Sequence, residues 1–274
     1  MKSLKRLLGA QVPPINFLCG MPRTGSTVLA AILNQNPEIF ATNTSPLYPF
    51  LVQTNEIFNT YNLQYTFNYL EISEKLYLSI VDSFYGEETR IIFDKHRGWG
   101  NHIDSIIRYI NPSPKLIFTV RPIQEIITSY FALIEQDPDN FIDKHLIRDG
   151  IEINWESRAY LLWTKYMQEA FESTAAALEN HREKCLVINY CDLVNRPLDV
   201  INSIYSFYEI SAFKHNFNNI EAREPELKDE GWGLKNLHTI KSKLGQSSKD
   251  PSIYLPPEAI SYFNQFNEKI GVNV

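Results

Sequence analysis

The sequence predicts an α/β fold: a three-layer, P-loop-like parallel sheet with helices on both faces and a helical, aromatic-rich insertion. Three observations predict it. Short apolar runs recur between segments of helical period. The runs are continuous rather than alternating, as strands covered on both faces require. Regular alternation of strand and helix marks a parallel sheet closed by crossovers.

Taken in order, the first strand is Ile15 to Cys19, and a glycine-bearing turn leads into a helix over Thr27 to Leu33. The second strand is Ile91 to Phe93, followed by a helix over Ile103 to Tyr109. Leu116 to Val120 is the third strand, with a helix over Ile123 to Ile134. One long helix is expected from Trp155 to Leu178, because Trp155, Ala159, Leu162, Tyr166, Ala170 and Phe171 fall at steps of mostly three and four. Leu186 to Ile188 is the fourth strand. Helices over Leu198 to Phe207 and from Pro257 complete the chain. Between the first two strands, residues 46–87 break the alternation and carry ten aromatics from Tyr48 to Tyr85. They read as a helical insertion over the sheet edge.

The 274 residues read as a single domain, since no linker interrupts them. At 44% apolar and 21% charged they fit neither a disordered chain nor a membrane-spanning one. The net charge of −6 disfavours nucleic acid as a partner. Three scattered cysteines, Cys19, Cys185 and Cys191, form neither a disulfide framework nor a zinc site; Cys185 and Cys191 flank an apolar run and read as buried free thiols. After Lys2, Lys5 and Arg6 the apolar stretch Leu7 to Ala10 is too short for a signal-peptide core. No run reaches the ~20 apolar residues of a spanning helix. A cytoplasmic location is expected, with a luminal piece of a longer chain as the alternative.

The sharpest signal is Gly20-Met21-Pro22-Arg23-Thr24-Gly25-Ser26-Thr27. Two glycines let the backbone curl so that successive amides face one anion. The helix behind the turn adds free N–H groups and a partial positive charge. Hydroxyls of Thr24, Ser26 and Thr27 add donors. The segment matches G-x-x-x-x-G-K-[ST] except at the Lys, where Ser26 stands, and the cation moves to Arg23. A kinase or ATPase needs that Lys and a shared Mg²⁺. Asp94, ending an apolar strand, resembles a Mg²⁺-holding carboxylate, but Lys95 follows it at once. A nucleotide kinase or ATPase stays open as one alternative, and a non-catalytic nucleotide-binding module as another.

Arg121 closes the third strand, where ligands bind in open α/β sheets. Ser129 lies eight residues on, two helical turns plus one residue, so the two meet only if Arg121 precedes the helix and reaches along it. An ion pair with Glu125 is the other reading of Arg121. Asp94, Lys95, His96 and Arg97 form a dense titratable cluster. Within it His96 is the natural general base, Asp94 the reserve, and Arg97 is left unassigned.

Together these residues resemble the sulfotransferases that use 3′-phosphoadenosine-5′-phosphosulfate (PAPS), over nearly the whole chain. With Arg23 in place of Lys, the loop is similar to that of bacterial enzymes related to the tyrosylprotein sulfotransferases. The resemblance implies that Arg23, Thr24, Gly25, Ser26 and Thr27 hold the 5′-phosphosulfate, and that Arg121 and Ser129 hold the 3′-phosphate. Tyr190, in Tyr190-Cys191-Asp192-Leu193-Val194, resembles the family's late turn. Lys243, with Lys241 second, sits in a basic loop (residues 228–256, with Lys235, His238, Ser247, Ser248 and Lys249) that resembles the cofactor-covering segment. Glu221, Glu224, Glu226, Asp229 and Glu230 lie just upstream or at its start. Arg23, Lys95 and His96 are the implied catalytic residues, PAPS the donor, adenosine 3′,5′-bisphosphate (PAP) the product, and no metal is called for.

Two departures stand out. Thr42 to Leu47 contains no counterpart of the Glu base of the tyrosylprotein branch, and Leu133 replaces a further cation. A hydroxyl or amine on a small molecule, glycan or lipid is the expected acceptor. The aromatic insertion and Trp99 are its candidate wall. A homodimer is left open.

Overall fold

The computed structural model describes residues 15–65, 68–221, 233–245 and 249–272. The amino-terminal Lys2, Lys5, Arg6 and Leu7 to Ala10 lie outside them, as do Phe67, Glu224, Glu226, Asp229, Glu230, Ser247 and Ser248.

Five parallel strands form one sheet: β1 (Ile15–Gly20), β2 (Ile39–Ala41), β3 (Ile91–Lys95), β4 (Leu116–Val120) and β5 (Cys185–Asn189), in the order β2-β3-β1-β4-β5. Side chains alternate between the faces. Phe17, Cys19, Ile92, Leu116 and Phe118 pack into one apolar cluster, while Leu18, Phe93, Ile117 and Ile188 pack into the other. Helices α1 (Ser26–Leu33) and α10 (Pro197–Tyr208) cover the second face. The first is covered by α2 (Leu47–Thr60), α3 (Tyr69–Tyr85), α4 (Ile103–Tyr109), α5 (Ile123–Gln136) and α8 (Gln168–Asn180). The result is three layers with an apolar core on each side of the sheet.

Strand β2 is absent from the sequence reading. It is three residues long and pairs only with β3, from Ile39↔Ile91 to Ala41↔Phe93. Its presence gives the segment 46–87 a topological place. Neighbouring parallel strands need a crossover, and α2 and α3 carry the chain from β2 to β3. Tyr48, Phe58, Tyr77 and Tyr85 are buried there, whereas Phe50, Tyr61 and Tyr65 are exposed.

The long helix expected over 155–178 is interrupted. It comprises α7 (Trp155–Leu162), a π-helical turn (Trp163–Met167) and α8. In the turn, the Gln168 N–H bonds back five residues to the Trp163 carbonyl. Helix α6 (Phe141–Arg148) precedes α7, α9 (Tyr190–Asn195) follows β5, and α11 (Pro257–Asn267) comes near the end of the described residues. Cys185 is a buried free thiol as expected and Cys19 is buried too, whereas Cys191, expected to be buried, is exposed.

Parallel pairing brings the carboxyl ends of the strands to one edge. Gly20 pairs with Thr119, Leu18 with Lys95, and Val120 with Asn189. The residues just beyond them, Arg23, His96, Arg121 and Tyr190, therefore emerge side by side.

Candidate active site

A cleft of about 960 Å³ opens at that edge. Arg23, Gly25, Ser26, Thr27, Lys95, His96, Arg121, Ser129, Tyr190 and Lys243 all line it. Thr24 does not. Its hydroxyl turns inward, donating to the Met21 carbonyl at 2.6 Å and lying 2.7 Å from the Thr119 hydroxyl, so that hydroxyl is not offered to a ligand.

The loop's shape follows from its glycines. Gly20 has φ +128°, and a Cβ there would stand 2.3 Å from the Thr119 carbonyl oxygen. Gly25 caps α1 at φ +86°, with Tyr190 and Leu193 packed against it. Between them Arg23 also adopts a left-handed conformation, at φ +61°. Such backbone is costly for a non-glycine residue and clusters at functional sites. It turns the Arg23 side chain across the cleft, where Nε donates to Ser129 Oγ at 3.2 Å and Nη1 to the Leu237 carbonyl.

Arg121 completes the pair. It is only 3% exposed, its Nε meets Glu125 at 3.0 Å, and its guanidinium lies 4.4 Å from the centre of the Tyr190 ring. Nη1 donates to the Arg23 carbonyl at 3.3 Å. Both sequence readings of Arg121 thus coexist: the ion pair with Glu125 is present, and the residue lines the cleft. Arg121 and Ser129 are joined through Arg23 rather than directly.

The cation missing from the loop is supplied from β3. Lys95 Nζ donates to Thr27 Oγ1 at 3.0 Å and to the Asn43 carbonyl. An ammonium therefore sits at the amino end of α1, where the motif's own Lys is replaced by Ser26.

His96 stacks on Tyr48, with ring centres 3.6 Å apart at 16°. Its Nδ1 accepts the Gly98 N–H at 3.1 Å. A neutral imidazole with an accepting Nδ1 carries its proton on Nε2. Burial pushes the ring's pKa down to about 3, helped by Arg97, Lys95 and His102. Both observations make His96 a neutral N–H donor near pH 7, which weighs against the general-base role expected from sequence. Asp94 is no substitute. It is fully buried, its oxygens accept from Trp99 Nε1 at 2.7 Å and from the Tyr85 hydroxyl, and it does not line the cleft. Trp99 is likewise core, 1% exposed, and forms no part of the wall.

The cleft is also lined by Tyr130 and Leu133 on α5 and by Tyr166 in the π-helical turn, none of which sequence reasoning placed as a wall. The basic loop contributes Lys241 and Lys243, while Lys235 is drawn to Asp137 at 3.2 Å. Lys249 lines the cleft but pairs with Glu135 at 3.3 Å. Among the described residues no cluster of His, Cys, Asp and Glu could hold a metal ion, and no helix is long and apolar enough to cross a membrane.

A glycine loop opening a helix at the carboxyl edge of a parallel sheet, faced by cations from two other strands, defines a class: α/β proteins that bind a phosphorylated nucleotide over that loop. Within that class the chain belongs to the sulfotransferase family, whose model matches residues 14–214. The fold is similar to the sulfotransferase domain from the curacin biosynthetic pathway, at 18% identity and a TM-score of 0.54, covering 97% of this chain and 100% of that one. It is also similar to a sulfotransferase from Mycobacterium avium, at 16% identity and 0.53, covering 98% and 80%. A mouse sulfotransferase complexed with PAP matches at 16% identity and 0.52, covering 98% and 91%. No curated protein matches the chain.

Proposed function

We propose that the protein transfers a sulfuryl group from PAPS to a hydroxyl or amine of its acceptor. The observation that carries this reading is the meeting of Arg23 and Arg121, ninety-eight positions apart in sequence, in one cleft over the glycine loop. The mouse relative's complex with PAP supports the choice of donor. The residues present suit a donor with anionic groups at two ends. Lys95 and the loop amides face one end, Arg121 and Ser129 the other, and Arg23, held by Ser129, stands between them. Thr128 Oγ, buried, lining the cleft and without a hydrogen-bond partner among the described residues, is a further group that a ligand can satisfy.

The donor supplies the sulfuryl group, and its sulfur–oxygen bond to the 5′-phosphate breaks as the bond to the acceptor forms. In a loose, in-line transfer, positioning and charge stabilisation dominate. Arg23 offers planar, paired donors to the phosphosulfate oxygens. Lys95 and the α1 amino end neutralise charge growing on the departing phosphate. His96, which lines the cleft as a neutral imidazole, offers its Nε2–H to the reacting groups as an orienting donor. The acceptor's proton leaves late, once the new oxygen–sulfur or nitrogen–sulfur bond has acidified it, and passes to water. Lys241 and Lys243 cover the nucleotide from the basic loop.

Thermal denaturation tests this reading. PAP at a hundred times its Kd should stabilise by about 2.7 kcal/mol, or roughly 5–10 °C in Tm. Stabilisation by ATP with Mg²⁺ and none by PAP would instead favour a kinase.

A further inference from the structure

Arg97 is the cleft guanidinium that the donor scheme does not use. It leaves β3 just after His96, whereas Arg121, Ser129 and Tyr190 follow β4 and β5. In the order β2-β3-β1-β4-β5 the glycine loop after β1 lies between these two flanks. A nucleotide held on the Arg121 and Tyr190 side points its phosphosulfate across the loop toward β3. The space before Arg97 is then the acceptor's end of the cleft.

The way Arg97 is held is also specific. Its Nη1 donates to the Tyr166 carbonyl at 2.8 Å, at the π-helical turn that breaks the α7–α8 helix. Such turns are frequent at functional sites. No carboxylate pairs with Arg97 among the described residues, although the chain as a whole is acidic. Tyr130 and Tyr166 stand near enough to feel its charge and supply no counter-charge at neutral pH. A half-buried guanidinium in such surroundings is favourable when an anion meets it. Neighbouring His96 reports the same local potential, since Arg97 and Lys95 both oppose its protonation.

We infer that the acceptor carries an oxyanion, a carboxylate or a phosphate, in addition to the hydroxyl or amine that receives the sulfuryl group, and that Arg97 binds it. This rests on the sulfotransferase reading above. The planar fork of Arg97 suits paired contact with such a group. The ion pair would set the distance from the anionic end of the acceptor to its reacting atom.

The test compares matched hydroxyalkyl and hydroxyaryl acceptors bearing a carboxylate, a phosphate or a neutral primary amide, at saturating PAPS, by the PAP released. The oxyanion-bearing members should exceed their amides about 10-fold or more in kcat/KM, as a charge-assisted contact allows. Which oxyanion gains more separates carboxylate from phosphate. Arg97→Gln should bring the ratio toward one, chiefly through KM, while PAP still raises the melting temperature. Arg97→Lys should keep part of the preference. Amides that match the oxyanions in the wild type, an unchanged ratio in Arg97→Gln, or no turnover of any oxyanion-bearing acceptor would overturn the inference. Absence of PAP stabilisation in the wild type would remove the sulfotransferase reading itself.

Discussion

Replacing His96 with Asn probes the state of the imidazole in the cleft. The ring is hemmed in by Tyr48, Lys95, Arg97 and His102, with Glu169 reached through the Tyr48 hydroxyl at 3.4 Å. Its native pKa lies at about 3 against an ordinary 6.5. Between those values the unfolded chain takes up a proton that the folded chain refuses. Stability present at pH 7 is therefore lost as the pH falls below 6.5. The slope is at most about 1.4 kcal/mol per pH unit. From pH 7 to pH 5 the loss comes to about 2 kcal/mol, and about half that once the ring's partial exposure is discounted. His102 and His215 are also pushed down by burial, but wild type and variant share them, so the difference isolates His96. The Asn oxygen can still accept the Gly98 N–H. Denaturant melts at pH 5, 6 and 7 should show the variant losing less stability on acidification, by about 1–2 kcal/mol over the range. Parallel curves would refute the neutral, buried ring. The kinetic counterpart is a kcat/KM profile with no limb near pH 6.5; a limb there that vanishes in the variant would restore the base role.

Two further substitutions probe the loop. Gly25→Ala forces a side chain into φ +86°, with Tyr190 at 3.0 Å and Leu193 at 3.2 Å from the new Cβ. It should cost about 1–3 kcal/mol in urea denaturation and weaken PAP binding in calorimetry. Lys95→Met removes the ammonium beside Thr27 and should lower kcat by about 10²–10³-fold with a smaller change in PAP affinity; equal losses in both would mark Lys95 as a binding group only.

The legible parts of this protein are those written in local sequence. Mainly apolar runs, broken only at Asn16 and Thr119, announced β1, β3, β4 and β5, because strands covered on both faces show no regular polar alternation. The loop glycines announced the tight turn into α1, because Gly20 and Gly25 take positive φ values that are costly for most other residues. Strand β2 stayed hidden since Ile39-Phe40-Ala41 is too short to stand out, and the β2-to-β3 crossover then read as an insertion. The π-helical turn stayed hidden because Leu162, Tyr166 and Ala170 keep their apolar spacing through it. Packing alone decides that Thr24 faces inward, that Trp99 serves Asp94, and that Tyr130 and Tyr166 face the cleft. The link between Arg121 and Ser129 runs through Arg23, one hundred and six positions from Ser129, and no spacing rule within one helix reports it.

The most direct measurement is calorimetric titration of the protein, and of Arg121→Ala, with PAP and with adenosine 5′-monophosphate, which lacks only the 3′-phosphate. Two cationic groups holding the two ends of one nucleotide predict that the wild type binds PAP about 10–100-fold more tightly, and that Arg121→Ala erases most of that ratio. Equal affinity for the two nucleotides in the wild type would contradict the account.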